Sequence, residues 1–99
     1  MSYEMLVGLN VTNDEMYQEY RAAMKPILIQ YDGGFKCDFK VSETLLPSEN
    51  KDINRVFNIY FKDEDAMDSF FSHPDYLIVK EKYFSNSVSS AVILSVNTN

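Results

Sequence analysis

"YEMLVGLNVTNDEMYQEYRAAMKPILIQY", residues 3–31, changes its hydrophobic period part-way along. From Tyr3 to Val11 the side chains alternate, with Met5, Val7, Leu9 and Val11 on one face and Glu4, Leu6, Gly8 and Asn10 on the other, the two-residue repeat of a strand. After "TNDE" the repeat lengthens to three and four: Met16, Tyr17, Tyr20, Met24, Ile27, Leu28 and Tyr31 draw one apolar stripe along a helix. Thr12 or Asn13 can cap that helix, and Asp14 and Glu15 stand where the positive end of the helix dipole favours them. Pro26 lacks a backbone donor and its ring meets the carbonyl of Ala22, so a kink is expected there. Gly33 and Gly34 follow, where the chain is expected to turn left-handed and leave the helix.

Outward from this strand and helix, alternation resumes at Phe35. Phe35, Cys37, Phe39 and Val41 are expected to face the helices, and Lys36, Asp38 and Lys40 the opposite side. "LPSENKDIN" is a polar loop, longer than a tight hairpin turn and expected to project. Residues 55–61 form a third strand with Phe57, Ile59 and Phe61 on one face; "KDEDAMDSFF" opens a second helix with an acidic first turn. "SAVILSV", residues 90–96, is the last strand, with 97–99 expected to fray. The order β-α-β-β-α-β, with a helical extension before the final strand, is an α+β plan: a ferredoxin-like sandwich with a four-stranded antiparallel sheet. Ninety-nine residues, 45% hydrophobic, suit one domain spanning 1–99.

Composition removes several functions. A net charge of −6 repels the phosphate backbone, so nucleic acid is not an expected partner. The amino terminus meets charge after a few apolar residues, so neither a signal peptide nor a membrane span is expected there. Cys37 is the only cysteine and His73 the only histidine, so no metal site or cofactor is expected, and the chain reads as cytoplasmic. Seven Phe and seven Tyr make a ring-rich core whose buried hydroxyls need partners, a hint of a cavity or an interface.

Two helices cover one face of such a sheet. The other face is then expected to carry Leu6, Gly8, Asn10, Lys36, Asp38, Lys40, Val56, Asn58 and Tyr60, a mixed surface suited to partial cover. Packing two such faces together would enclose a polar-lined cavity, with Asn10, Asp38, Asn58 and Tyr60 as candidate ligand-binding residues. His73 in "SHPDY", residues 72–76, has two readings. It can cap a helix that starts at Pro74, or, with Tyr76 orienting the substrate, it can act as a base. The helix-start reading explains every residue of the stretch and is preferred, with His73 and Tyr76 kept as the catalytic candidates.

Taken together, "YEMLVGLNVTNDEMYQEYRAAMKPILIQYDGGF", "FNIYFKDEDAMDSFFSHPDYLIVKEKY" and "AVILSV" resemble the DUF1330 family of the dimeric α/β-barrel superfamily. The residues that carry the resemblance are Val11 before a capped helix, Tyr17, Tyr20, Pro26, Tyr31 with its glycines, Phe61 before an acidic turn, and the run ending at Tyr76. Two positions depart from the family pattern: Asp38 stands where an arginine is common, and Tyr60 where an acid is common. The resemblance implies a homodimer that pairs sheet to sheet as a dimeric α/β barrel. It assigns no reaction, so whether the protein is an enzyme stays open. The leading expectation is a homodimer that binds a small apolar or aromatic molecule between its sheets. The alternatives are a cofactor-independent monooxygenase or isomerase acting on an aromatic or lactone substrate, and an interaction module without a ligand.

Overall fold

Alternation and capping place the elements where the residues ask for them. In the computed structural model, which describes residues 2–47, 49 and 51–98, β1 (Tyr3–Val11) leads into α1 (Asp14–Gln30) through Asn13. The Asn13 side chain accepts a hydrogen bond from the Met16 N–H at 3.0 Å, satisfying one of the helix's orphan donors. β2 (Gly34–Lys40) and β3 (Arg55–Phe61) follow. Asp63 then caps α2 (Glu64–Ser72), its carboxylate accepting from the Ala66 N–H at 2.8 Å. A short α3 (Pro74–Val79), a π-helical turn (Lys80–Phe84) and β4 (Val88–Thr98) complete the chain. The four strands form one antiparallel sheet in the order β2-β3-β1-β4, which with the helices is the ferredoxin-like α+β architecture.

Four details differ from the sequence expectations. α1 runs unbroken through Pro26, because Pro26 and Ala22 both lie on its exposed side, where water can reach the carbonyl that the proline leaves without a donor. The left-handed residue after α1 is Asp32, with φ 55°, and neither glycine adopts positive φ; Asp is among the few residues that tolerate this region. Gly34 is needed for another reason: a Cβ there would lie 2.6–3.0 Å from the ring and hydroxyl of Tyr60. Finally, Asn97 and Thr98 do not fray but pair with Glu4 and Tyr3, while Asn99 lies outside the described residues.

β2 departs most from its expected pattern. A bulge between Phe35 and Cys37 shifts its pairing with β3, so that Phe35 opposes Ile59, Cys37 opposes Asn58, Asp38 opposes Phe57 and Phe39 opposes Val56. Directly opposed residues share a face of the sheet. Beyond the bulge the two faces are therefore exchanged: Asp38 and Lys40 lie on the helix side, and Cys37 and Phe39 on the bare side. Phe35, ahead of the bulge, keeps its helix-side place and meets Phe57 edge-on with ring centroids 5.5 Å apart.

The core lies between sheet and helices, where Leu9, Tyr17, Met24, Leu28, Phe61 and Phe70 are almost fully enclosed. Phe70 is the hub of its ring cluster, with Tyr76, Phe71 and Phe61 at centroid distances of 4.6, 4.9 and 5.5 Å. Pro26→Ala should restore a donor to α1 and remove the ring clash without touching this core. Urea unfolding is expected to show a gain of about 1–3 kcal/mol; an unchanged or lower midpoint would contradict this account of α1.

Candidate functional site

The helices do not seal the sheet along its whole width. On β4 the helix-side residues Ile93 and Val96 remain 55% and 45% exposed. Beneath α1 this gap widens into a cavity of about 480 Å³. Its floor is Met5, Val7 and Leu9 of β1 with Phe57 and Ile59 of β3; its roof is Tyr17, Tyr20 and Met24 of α1. Met67, Phe71 and Tyr76 close one side, and the exposed residues Lys80, Ala91 and Ile93 mark the mouth. Lys80 and Phe84 reach the cavity from the π-helical turn, a local irregularity often found at functional sites.

At the inner wall stands Arg21, one of the chain's two arginines. Its guanidinium packs over the rings of Phe35, Phe57 and Tyr17, with centroid distances of 4.0, 4.6 and 5.1 Å. Nε donates to the Tyr17 hydroxyl at 2.8 Å, and Nη1 to Asp38 Oδ2 at 3.3 Å. Nη2 is buried and finds no hydrogen-bond partner within the described residues. An unmet buried donor ordinarily costs about 1–3 kcal/mol, more when charged. Arg55 grips the same Asp38 with both arms, Nε to Oδ1 and Nη2 to Oδ2, each at 2.7 Å. The Arg55 hydrogen bonds, aided by the nearby Arg21 charge, hold the Asp38 carboxyl below the usual carboxylate range, and Asp38 raises Arg55 in turn.

Across the cavity, the Tyr20 and Tyr76 hydroxyls share a buried hydrogen bond of 2.9 Å. Burial pushes both phenols up, Tyr20 strongly, and Tyr17 is raised for the same reason. All three are therefore neutral hydrogen-bonding groups near pH 7, not bases. Among the described residues no cluster of three or more His, Cys, Asp or Glu could hold a metal, and no helix is long and apolar enough to cross a membrane.

The residues proposed from sequence do not converge on one site. Tyr76 lines the cavity; His73 does not. The His73 ring packs edge-on to Tyr31, and its Nδ1 accepts from the Asp75 N–H at 3.0 Å, capping α3 with Pro74 in the first turn. Asn10, Asn58 and Tyr60 lie on the bare face, as expected, but the bulge carries Asp38 to the other side of the sheet. On the bare face Asn58 Nδ2 donates to Glu4 Oε1 at 3.3 Å, and Glu4 also pairs with Lys36, whose ammonium keeps the Glu4 carboxyl below its ordinary range. Asn10 Oδ1 accepts from the Ser89 hydroxyl at 3.1 Å.

The loop after β2 also behaves differently from a simple projection. Ile53 folds back over Gly8, where a Cβ would come within 2.7 Å of its Cδ1. Thr44 Oγ1 clasps it there, accepting from the Ile53 N–H and donating to the Ile53 carbonyl, both at 2.8 Å. Leu45 and Leu46 stand out from the loop, 87% and 89% exposed. Sequence reasoning passed over Arg21 and Arg55. The available signal was Arg21 four residues after Tyr17, a cation beside the apolar stripe of α1.

Because the Asp38 carboxyl titrates lower in the folded chain than in the unfolded one, its contribution to stability is complete above the unfolded pKa, about 4. It fades as pH falls through the lowered folded value. Asp38→Asn should therefore have a lower urea midpoint than the parent at pH 7, with the gap narrowing as the pH drops below about 4. A gap independent of pH would show that the carboxylate charge is not what binds the two arginines.

No curated protein matches the chain. Among solved structures, a protein of unknown function from Rhodopseudomonas palustris superposes with a TM-score of 0.82 at 14% identity, over 99% of this chain and 82% of that one. A dimeric ferredoxin-like protein of unknown function from Jannaschia sp. CCS1 matches with a TM-score of 0.66 at 13% identity, over 100% of both chains. SnoaB, a cofactor-independent oxygenase from Streptomyces nogalater, matches with a TM-score of 0.57 at 18% identity, over 99% of this chain and 90% of that one. At these identities the likeness shows the fold alone. The family described as "Domain of unknown function (DUF1330)" matches residues 3–96, nearly the whole chain, and the chain belongs to that family.

Proposed function

We propose that the protein is a homodimer, joined through the bare faces of its sheets, that binds a small and largely apolar molecule in the helix–sheet cavity of each protomer. The cavity carries this reading. Protein interiors pack with few voids larger than a water molecule, whereas this one holds about 480 Å³ walled by aromatic and aliphatic side chains, within the range of small-molecule sites. It replaces the expected chamber between two sheets, because the bulge withdraws Asp38 from that chamber and the cavity needs no second copy to close it.

Dimerisation is supported by the bare face itself, where Phe39 is 58% exposed beside partly exposed Leu6 and Val56. The description of the Jannaschia relative as dimeric agrees with it. Asn10, Asn58 and Tyr60 then become polar groups at the dimer contact. A free thiol at Cys37 fits the cytoplasm.

The oxygenase reading draws on the likeness to SnoaB and on Tyr76 in the cavity wall. Binding is favoured over it, since no carboxylate or imidazole among the lining residues can take a substrate proton and the phenols are pushed up by burial.

Calorimetric titration with 2-naphthamide tests the cavity. Saturable binding of one molecule per protomer is expected, and Val7→Phe, which fills the floor, should weaken it at least about tenfold while circular dichroism shows the fold intact. Unchanged affinity would place the molecule elsewhere. Sedimentation equilibrium tests the assembly separately: twice the chain mass is expected for the parent, and Phe39→Arg should shift the population towards monomer. A monomeric parent would remove the dimer and leave the cavity standing.

A further inference from the structure

We infer that the cavity recognises an apolar anion, a flat or chain-like carboxylate whose oxygens dock on Arg21 Nη2 while its body lies among the rings. This rests on the binding reading above and names the chemical class of the ligand. The chain is acidic, with 15 Asp and Glu against 9 Lys and Arg, yet the charged residues of the cavity wall are both cations: Arg21 at the inner wall and Lys80 at the mouth. Such a site in an otherwise negative molecule attracts an anion and offers a cation poor contacts.

The geometry at Arg21 is more specific than its charge. Two guanidinium groups share the single Asp38 carboxylate, and Arg55 takes the bidentate hold, so Arg21 is only partly neutralised. With Nε committed to Tyr17 and Nη1 to Asp38, the plane of the guanidinium is fixed between Phe35 and Phe57. Nη2 is the donor left over, buried and without a partner among the described residues. A carboxylate supplies the acceptor that a fixed guanidinium edge binds best. The Tyr20–Tyr76 pair uses one hydroxyl proton between two oxygens, which leaves the second proton available for another acceptor in the same cavity. The remaining wall is aliphatic and aromatic, so the rest of the ligand must be apolar.

Titration of the protein with 2-naphthoate and 2-naphthamide, which share a ring body and differ in charge, tests this. The carboxylate should bind about tenfold more tightly than the amide, and Arg21→Gln should abolish that preference. Equal affinities in the parent, or a preference that survives Arg21→Gln, would overturn the inference and leave the cavity reading in place. If neither compound binds, both fall. Should Arg21→Gln fail to fold, the parent decides alone: raising KCl should weaken naphthoate and spare naphthamide, and equal sensitivity would refute the assignment.

Discussion

One extra residue in β2 determines which side of the sheet carries the charge. The bulge between Phe35 and Cys37 turns Asp38 towards α1, where it meets both arginines of the chain. Without that shift Asp38 would oppose Val56 on the bare face, and Arg21 and Arg55 would lose the carboxylate they share, an arrangement that desolvation disfavours. The displaced Lys36 is used as well, since it pairs with Glu4 on the bare face. A single irregularity thus neutralises charges on both faces.

That arrangement divides the interior into two regions. Around Phe70 the rings are in contact and the interior is closed. Around Arg21 the contacts are polar and directional, and the wall stands back from the sheet. Ring packing and hydrogen bonding impose different spacings: rings close gaps, while a guanidinium held by Tyr17 and Asp38 cannot move in to fill one. The cavity lies where the second kind of contact takes over from the first, and it opens along β4 because the helices leave the inner face of that strand exposed.

The architecture was legible in the sequence because it follows from periodicity and end signals. The switch of period at Asn13, the bounds of β1 and β3, the order of elements and the role of His73 as a helix start all match the structure. The site was not legible, because alternation assumes that no residue is inserted. Lys36 leaves no mark in the pattern, so every side chain of β2 beyond it was assigned to the wrong face, including Asp38, Cys37 and Phe39. Arg21 was missed because a cation beside an apolar stripe usually reaches out to water, and only the position of Asp38 shows that this one turns inward. Asp32 takes the left-handed turn expected of Gly33 or Gly34, and Gly34 instead leaves room for the Tyr60 ring.

The methionines offer the most direct measurement. Met5, Met24 and Met67 line the cavity, while Met16 lies outside it near the start of α1. With their methyl groups labelled with carbon-13, a 2-naphthoate titration followed by NMR should move the signals of Met5, Met24 and Met67 together and leave Met16 in place. Stationary signals from the three lining methionines, with the probe nevertheless bound, would put the ligand on another surface and contradict a binding cavity between sheet and helices.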